Sequence, residues 1–181
     1  MIEYLDHNKS IFVTATKAIQ DNAEAKALDL WVLKNSIRNG EGNFVGFIGE
    51  EMVLAAFPNA VSDNSYQHDI VIDGIRYEIK TKDRTIPMPR PDDECSVAVQ
   101  NAGQKADRYI FVRVYRDKIT DEDIHGHIKG YWPCATYKDK GNAVFRPEGW
   151  YDERNRWRIK ADCYNMEYAW LYRMEKLWDA R

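Results

Sequence analysis

The sequence predicts an α/β domain built on a central mixed β-sheet flanked by helices. Three observations carry that prediction. Two stretches with helical apolar stripes come first, a tight isoleucine-rich hairpin follows them, and strongly alternating strands come after it. At 181 residues the chain suits a single domain spanning 1–181. Its core falls at about 14–132, with an aromatic and basic extension over about 133–181. There is no internal repeat, low-complexity tract or interdomain linker.

Residues 14–38 suit a first helix, with Ala18, Ile19, Leu28, Leu30, Trp31 and Leu33 as its apolar positions and Asn39-Gly40 as its stop. A second helix begins near 41–43 and runs to Phe57, where Pro58 breaks it, with a stripe of Phe44, Phe47, Ile48, Leu54 and Ala55. Glu51 falls inside that stripe and Glu50 at its margin. A carboxylate there is costly unless it has a partner, and the helical wheel alone does not choose between the two. Residues 58–67 read as a loop and 68–82 as the hairpin. Residues 83–95, with Pro87, Pro89 and Pro91, read as an extended exposed loop carrying Arg84 and Arg90. A short strand at 95–99, a short helix at 100–107, strands at 109–115 and 125–132, and a short helix at 133–143 follow. Arg146 to Lys160 mixes aromatic and basic residues, and the tail from Asn165 is aromatic-rich.

The formal net charge is −3, so nucleic-acid binding would need a local basic patch or a metal. The three cysteines are odd in number and form no Cys-x-x-Cys pair, which points to a reducing interior rather than a zinc site or disulfide framework. No stretch approaches ~18 uninterrupted apolar residues and the N-terminus lacks a basic start and apolar run, so no membrane contact and a cytoplasmic location are expected.

The hairpin holds the chemistry. Asp73-Gly74 is a favoured two-residue turn, which sets Ile72 opposite Ile75, Val71 opposite Arg76, Ile70 opposite Tyr77 and Asp69 opposite Glu78. Directly opposed Cβ atoms lie about 4.5–5.5 Å apart, a distance at which two carboxylates repel unless a proton or cation sits between them. Lys80 projects from the same face as Glu78, and the isoleucines from the other. Asp69 and Glu78 can share one hard cation, and Mg²⁺ prefers such oxygen donors.

A helix with Gly49-Glu50, then Asp69 on one strand and Glu78-Ile79-Lys80 on the next, resembles the PD-(D/E)XK nuclease superfamily over roughly residues 43–115. Members often have Pro before the Asp, where this chain has His68. The resemblance implies a restriction-endonuclease-like core and a metal-dependent endonuclease acting on DNA. It further implies Mg²⁺, with Mn²⁺ as a substitute, bound by Asp69, Glu78, the Ile79 carbonyl and Glu50. Lys80 would orient or deprotonate the attacking water. Gln104, and less directly Gln100, would position the phosphate. Cutting a duplex implies a homodimer, each site taking one strand, and a compact nuclease fits a prokaryote, phage or mobile element.

Around the site, Lys82, Arg84 and Arg90 are either phosphate contacts or solvated loop charges, and His68 could support the site from beside it. Arg154, Trp157 and Arg158 are either a stacking surface for nucleic acid or aromatic packing with solvated arginines. Two other readings share the residues: a structure-specific nuclease for branched DNA or Holliday junctions, and a non-catalytic nucleic-acid-binding protein on the same fold.

Overall fold

The computed structural model describes residues 2–5, 10–29, 43–63, 67–90, 92–99, 104–117, 123–153 and 156–175. The chain opens with strands β1 (Ile2–Leu5) and β2 (Ser10–Thr14), then helices α1 (Lys17–Asp29) and α2 (Asn43–Ala56). Strands β3 (Ala60–Ser62), β4 (Ile70–Ile72), β5 (Ile75–Arg84), β6 (Glu94–Ala98), β7 (Arg108–Arg116) and β8 (Ile124–Pro133) follow. The remainder holds α3 (Cys134–Tyr137), β9 (Val144–Arg146), β10 (Tyr151–Asp152), β11 (Trp157–Arg158), β12 (Cys163–Glu167) and a 3₁₀ turn at Tyr168–Trp170.

Seven strands form one mixed sheet in the order β1-β2-β8-β7-β5-β4-β3, in which only β5 and β7 run parallel. The predicted α/β class with a central mixed sheet is therefore present. Helices α1 and α2 pack on one face, where Ile19, Ala23, Ile48, Met52, Phe57, Ile72, Tyr77, Ile79, Ile110 and Val112 make the larger core. Gly49 lets α2 come close, because a Cβ there would collide with the Thr81 side chain of β5. On the opposite face a three-stranded antiparallel sheet, β6-β12-β9, closes a second cluster of Val97, Tyr109, Phe111, Tyr137, Met166 and Leu171. Strands β9 and β12 of the C-terminal part thus share a sheet with β6 and cover the central sheet.

Several elements differ from the sequence prediction. Strands β1 and β2 were not expected; Ile11 and Val13 are buried in the core, as alternation across a half-buried strand requires. Strand β5 runs through Arg84, consuming the start of the predicted loop. Parallel neighbours need a crossover, usually a helix, but β5 and β7 are joined through β6, and the helix predicted at 100–107 is not helical at 104–107. There Lys105 N–H donates to Gln67 O (2.8 Å) and Asp107 N–H to Arg76 O (2.9 Å), while the Asp107 carboxylate takes the Arg76 guanidinium (2.7 and 2.9 Å). These tertiary bonds replace the i to i−4 bonds of a helix. The predicted helix at 133–143 shrinks to the four residues of α3, and the first helix is described only to Asp29. All three cysteines are free, and among the described residues no helix is long and apolar enough to cross a membrane.

Candidate active site

The hairpin turn has φ 50° at Asp73 and 77° at Gly74, the doubly left-handed pattern of a type I′ turn. That turn fixes the predicted register at Ile72↔Ile75, Val71↔Arg76 and Ile70↔Tyr77. The regular ladder ends there. Asp69 does not pair with Glu78; its N–H donates to Tyr77 O (2.9 Å), and its carboxylate Oδ2 accepts the Ile79 N–H at 2.6 Å. Strand β5 outruns β4, and the Asp69 side chain satisfies the first amide left beyond the end of the ladder, as a buried N–H requires. The two acids and the lysine therefore meet where the β4 edge stops.

Glu78 is 7 % exposed, and its Oε1 accepts from Lys80 Nζ at 2.7 Å and from Gln104 Nε2. The Lys80 ammonium also lies 5.9 Å from the Tyr109 ring centroid. Gln104 reaches Glu78 from an extended segment, not from a helix. Its amide Oε1 is buried without a hydrogen-bond partner among the described residues. Gln100 and Arg154 lie outside the described residues.

Helix α1 holds Glu50 and Glu51 differently. Glu51 is buried and held by Lys26 (2.8 Å) and Asn22 (3.1 Å) in the α1–α2 interface. Glu50 touches Lys26 more loosely, at 3.5 Å, and it is Glu50 that shares the electrostatic environment of Asp69 and Glu78. Burial, opposed by Lys26 and reinforced by Glu78 and Glu51, pushes the Glu50 carboxyl up to about 7. Burial together with the charges of Glu78 and Glu50 pushes Asp69 up to about 8, although the Ile79 amide and Lys80 work against the rise. Lys26 and Asn22 escaped the sequence reading; the signal was a buried pair of consecutive glutamates that needs a cation.

Glu50 and Asp69, whose protons are retained by burial and by neighbouring carboxylate charge, share the surroundings of Glu78, and hard oxygen donors of this kind suit a divalent cation, which would cancel that charge. As they stand, Glu78 is engaged with Lys80 and Gln104, and Asp69 with the Ile79 amide. Among the described residues, no group of three or more His, Cys, Asp or Glu is gathered closely enough to hold an ion.

The surrounding candidates divide. Lys82 is turned into the second sheet, where its ammonium donates to Glu94 O (2.8 Å) and Ser96 Oγ (3.2 Å), and burial and the neighbouring Arg84 push it down to about 8. It joins β5 to β6 and is not presented to a phosphate. Arg84 is partly buried beside Asp93, with its Nε lacking a hydrogen-bond partner among the described residues. Arg90 lies 3.7 Å from Asp93 on the proline-rich loop, and His68 Nε2 sits 2.6 Å from Asp63.

The raised carboxyls set a pH dependence of stability. Folded Asp69 and Glu50 keep a proton at pH values where the unfolded chain has released it. Their contribution is complete below the usual carboxylate range and is lost as pH rises through about 7 and 8. Buried His127, pushed down to about 3, acts in the opposite sense below about 6.5, and buried Lys82 and Lys129, pushed down to about 8, do so as pH approaches 8, so the carboxyls dominate over roughly pH 6.5–7.5. The thermal midpoint of the metal-free protein is expected to fall across that window. Asp69→Asn, which keeps an acceptor for the Ile79 amide, flattens the fall; an equally steep decline in Asp69→Asn would show that Asp69 is not its source.

No protein-family model matches this sequence, and no curated protein matches it.

Proposed function

We propose that the chain is a metal-dependent endonuclease that hydrolyses DNA phosphodiester bonds on a restriction-endonuclease-like core of the PD-(D/E)XK type. The observation that carries this reading is the meeting of Asp69, Glu78 and Lys80 at the point where β4 stops, with Glu50 in the same electrostatic environment. Asp69, Glu78, Glu50 and the Ile79 carbonyl would hold Mg²⁺, or Mn²⁺ in its place. A bound Mg²⁺ polarises the phosphoryl oxygens and lowers the pKa of its waters. Lys80, positioned by Glu78, holds the attacking water and offsets the charge that develops on the phosphoryl oxygens. Gln104 fixes the Glu78 carboxylate and offers its unpartnered amide oxygen to a water or substrate group. A homodimer would bring two such sites to opposite strands of a duplex.

The test is a cleavage assay on linear duplex, single strand, four-way junction and RNA, each with Mg²⁺, Mn²⁺ or EDTA. DNA cleavage that requires the divalent ion and stops in EDTA is the expected result. Selective cleavage of the junction would assign the structure-specific reading instead. Binding without cleavage under every condition would leave the non-catalytic one.

A further inference from the structure

The site leaves unexplained the stretch of the chain that mixes aromatic and basic residues. Between Arg146 and Lys160 lie five basic and three acidic residues, a local excess of positive charge in a chain whose net charge is −3. The stretch folds as a two-stranded ribbon, with Tyr151 paired to Arg158 and Asp152 to Trp157. Gly149 N–H to Ile159 O (2.8 Å) and Ile159 N–H to Trp150 O (2.9 Å) extend the pairing toward the second sheet. Tyr151 is 44 % exposed and Trp157 48 % exposed, and the opposed pairs put them on opposite faces of the ribbon.

Each ring carries a cation. The Arg158 guanidinium lies 5.3 Å from Tyr151, Lys160 Nζ 5.2 Å from Trp157, and the Arg146 guanidinium 4.3 Å from the half-buried Trp150. Arg146 Nε is buried without a hydrogen-bond partner among the described residues, and Arg156, at the hairpin end, has φ 51°, a left-handed conformation uncommon for arginine. Cation–ring contacts stabilise the ribbon locally. They do not account for two large rings left about half exposed on a ribbon with no apolar core of its own. Exposed rings backed by cations are what unpaired bases and their phosphates require, since every base has a π-face and every linkage a negative charge.

We propose that the β10–β11 ribbon is a stacking platform for unpaired bases, with Tyr151 and Trp157 as the rings and Arg158, Lys160 and Arg146 as the cations facing the backbone. In sequence it is inserted between β9 and β12, two strands of the sheet whose strand β6 binds Lys82 of β5, and that sheet lies on the side of the central sheet that carries Glu78 and Lys80. The inference rests on the nuclease reading for its choice of nucleic acid as ligand, and it makes the preferred substrate one with single-stranded character.

The test is equilibrium binding of fluorescent oligo-dT in EDTA, where cleavage plays no part. The double variant Tyr151→Ala/Trp157→Ala is expected to keep the wild-type melting temperature and to lose about tenfold or more in affinity per ring. Tyr151→Phe/Trp157→Phe keeps most of the affinity, and Arg158→Gln reduces the salt slope by about 0.7. An unchanged affinity in the alanine pair overturns the proposal. So does equally tight binding of an abasic oligonucleotide, which has phosphates but no bases, or binding of a neutral oligosaccharide with none of oligo-dT. Ring-dependent binding in a protein that cuts nothing in Mg²⁺ supports the platform while removing the nuclease; cleavage with ring-independent binding does the reverse.

Discussion

Asp69→Ala and Lys80→Ala are each expected to remove Mg²⁺-dependent DNA cleavage, by about a hundredfold to a thousandfold or more, while the protein remains folded. The two losses have different origins. Without Asp69 the proposed metal site would lose a ligand, and the Ile79 amide loses its 2.6 Å acceptor. That lost bond is expected to cost about 1 kcal/mol. The same change removes a buried carboxyl disfavoured by burial and by Glu78 and Glu50, which offsets that loss near pH 8. Without Lys80, Glu78 keeps Gln104 as partner and the proposed metal would keep its ligands, but the attacking water would lose the group proposed to hold it. Lys80→Ala should therefore retain Mg²⁺-dependent stabilisation against heat, which Asp69→Ala should lose. Cleavage at wild-type rate in both variants would sink the mechanism.

How much of this was legible beforehand follows the range of the interactions. The hairpin register is local: Asp73-Gly74 dictates the turn, and the turn dictates three of the four predicted pairs. The fourth failed because β4 ends at Ile70, a matter of where its other neighbour, β3, also ends. Even so, Asp69 stayed at the site, held by an amide instead of by a pair. A wheel puts Glu51 inside the stripe and Glu50 at its margin but does not choose between them, because what holds them apart is Lys26 and Asn22 on another helix. The segment at 104–107 was read as helical from its composition, and its geometry is set by Gln67 and Arg76, more than thirty residues away. Lys82 had the right alternation for a phosphate contact, and only the fold of the second sheet shows that β6 claims its ammonium. Short strands such as β1 leave too weak a pattern to be read without the neighbour that pairs with them.

Arg113→Ala is expected to be among the most destabilising single changes in the chain, and its site lies away from the carboxylates. Arg113 stands in the apolar middle of β7, 1 % exposed, where an unpartnered guanidinium would be untenable. Its Nη1 donates to Pro87 O (3.1 Å), its Nη2 to Ile86 O (2.5 Å) and Met88 O (3.3 Å), and its Nε lies 3.4 Å from Asp93. A buried cation thus fastens three consecutive carbonyls of the proline-rich loop, whose Ile86 and Met88 side chains remain about half exposed. Truncation would leave those carbonyls and a 2 % exposed Asp93 without it, although Arg84 and Arg90 still neighbour the acid. Breaking a buried ion pair costs about 3–5 kcal/mol, and the remaining arginines place this case at the lower end. For a chain of this length that is a fall of roughly 10 °C in melting temperature. Arg113→Lys keeps the charge but not the planar fork, and should fall between the two. Hydrogen exchange at the Ile86 and Met88 amides should be faster in Arg113→Ala than in the wild type at a temperature where both are folded. A melting temperature within about 2 °C of wild type, or an unchanged exchange rate at those amides, would mean that the guanidinium fills space there without holding the loop.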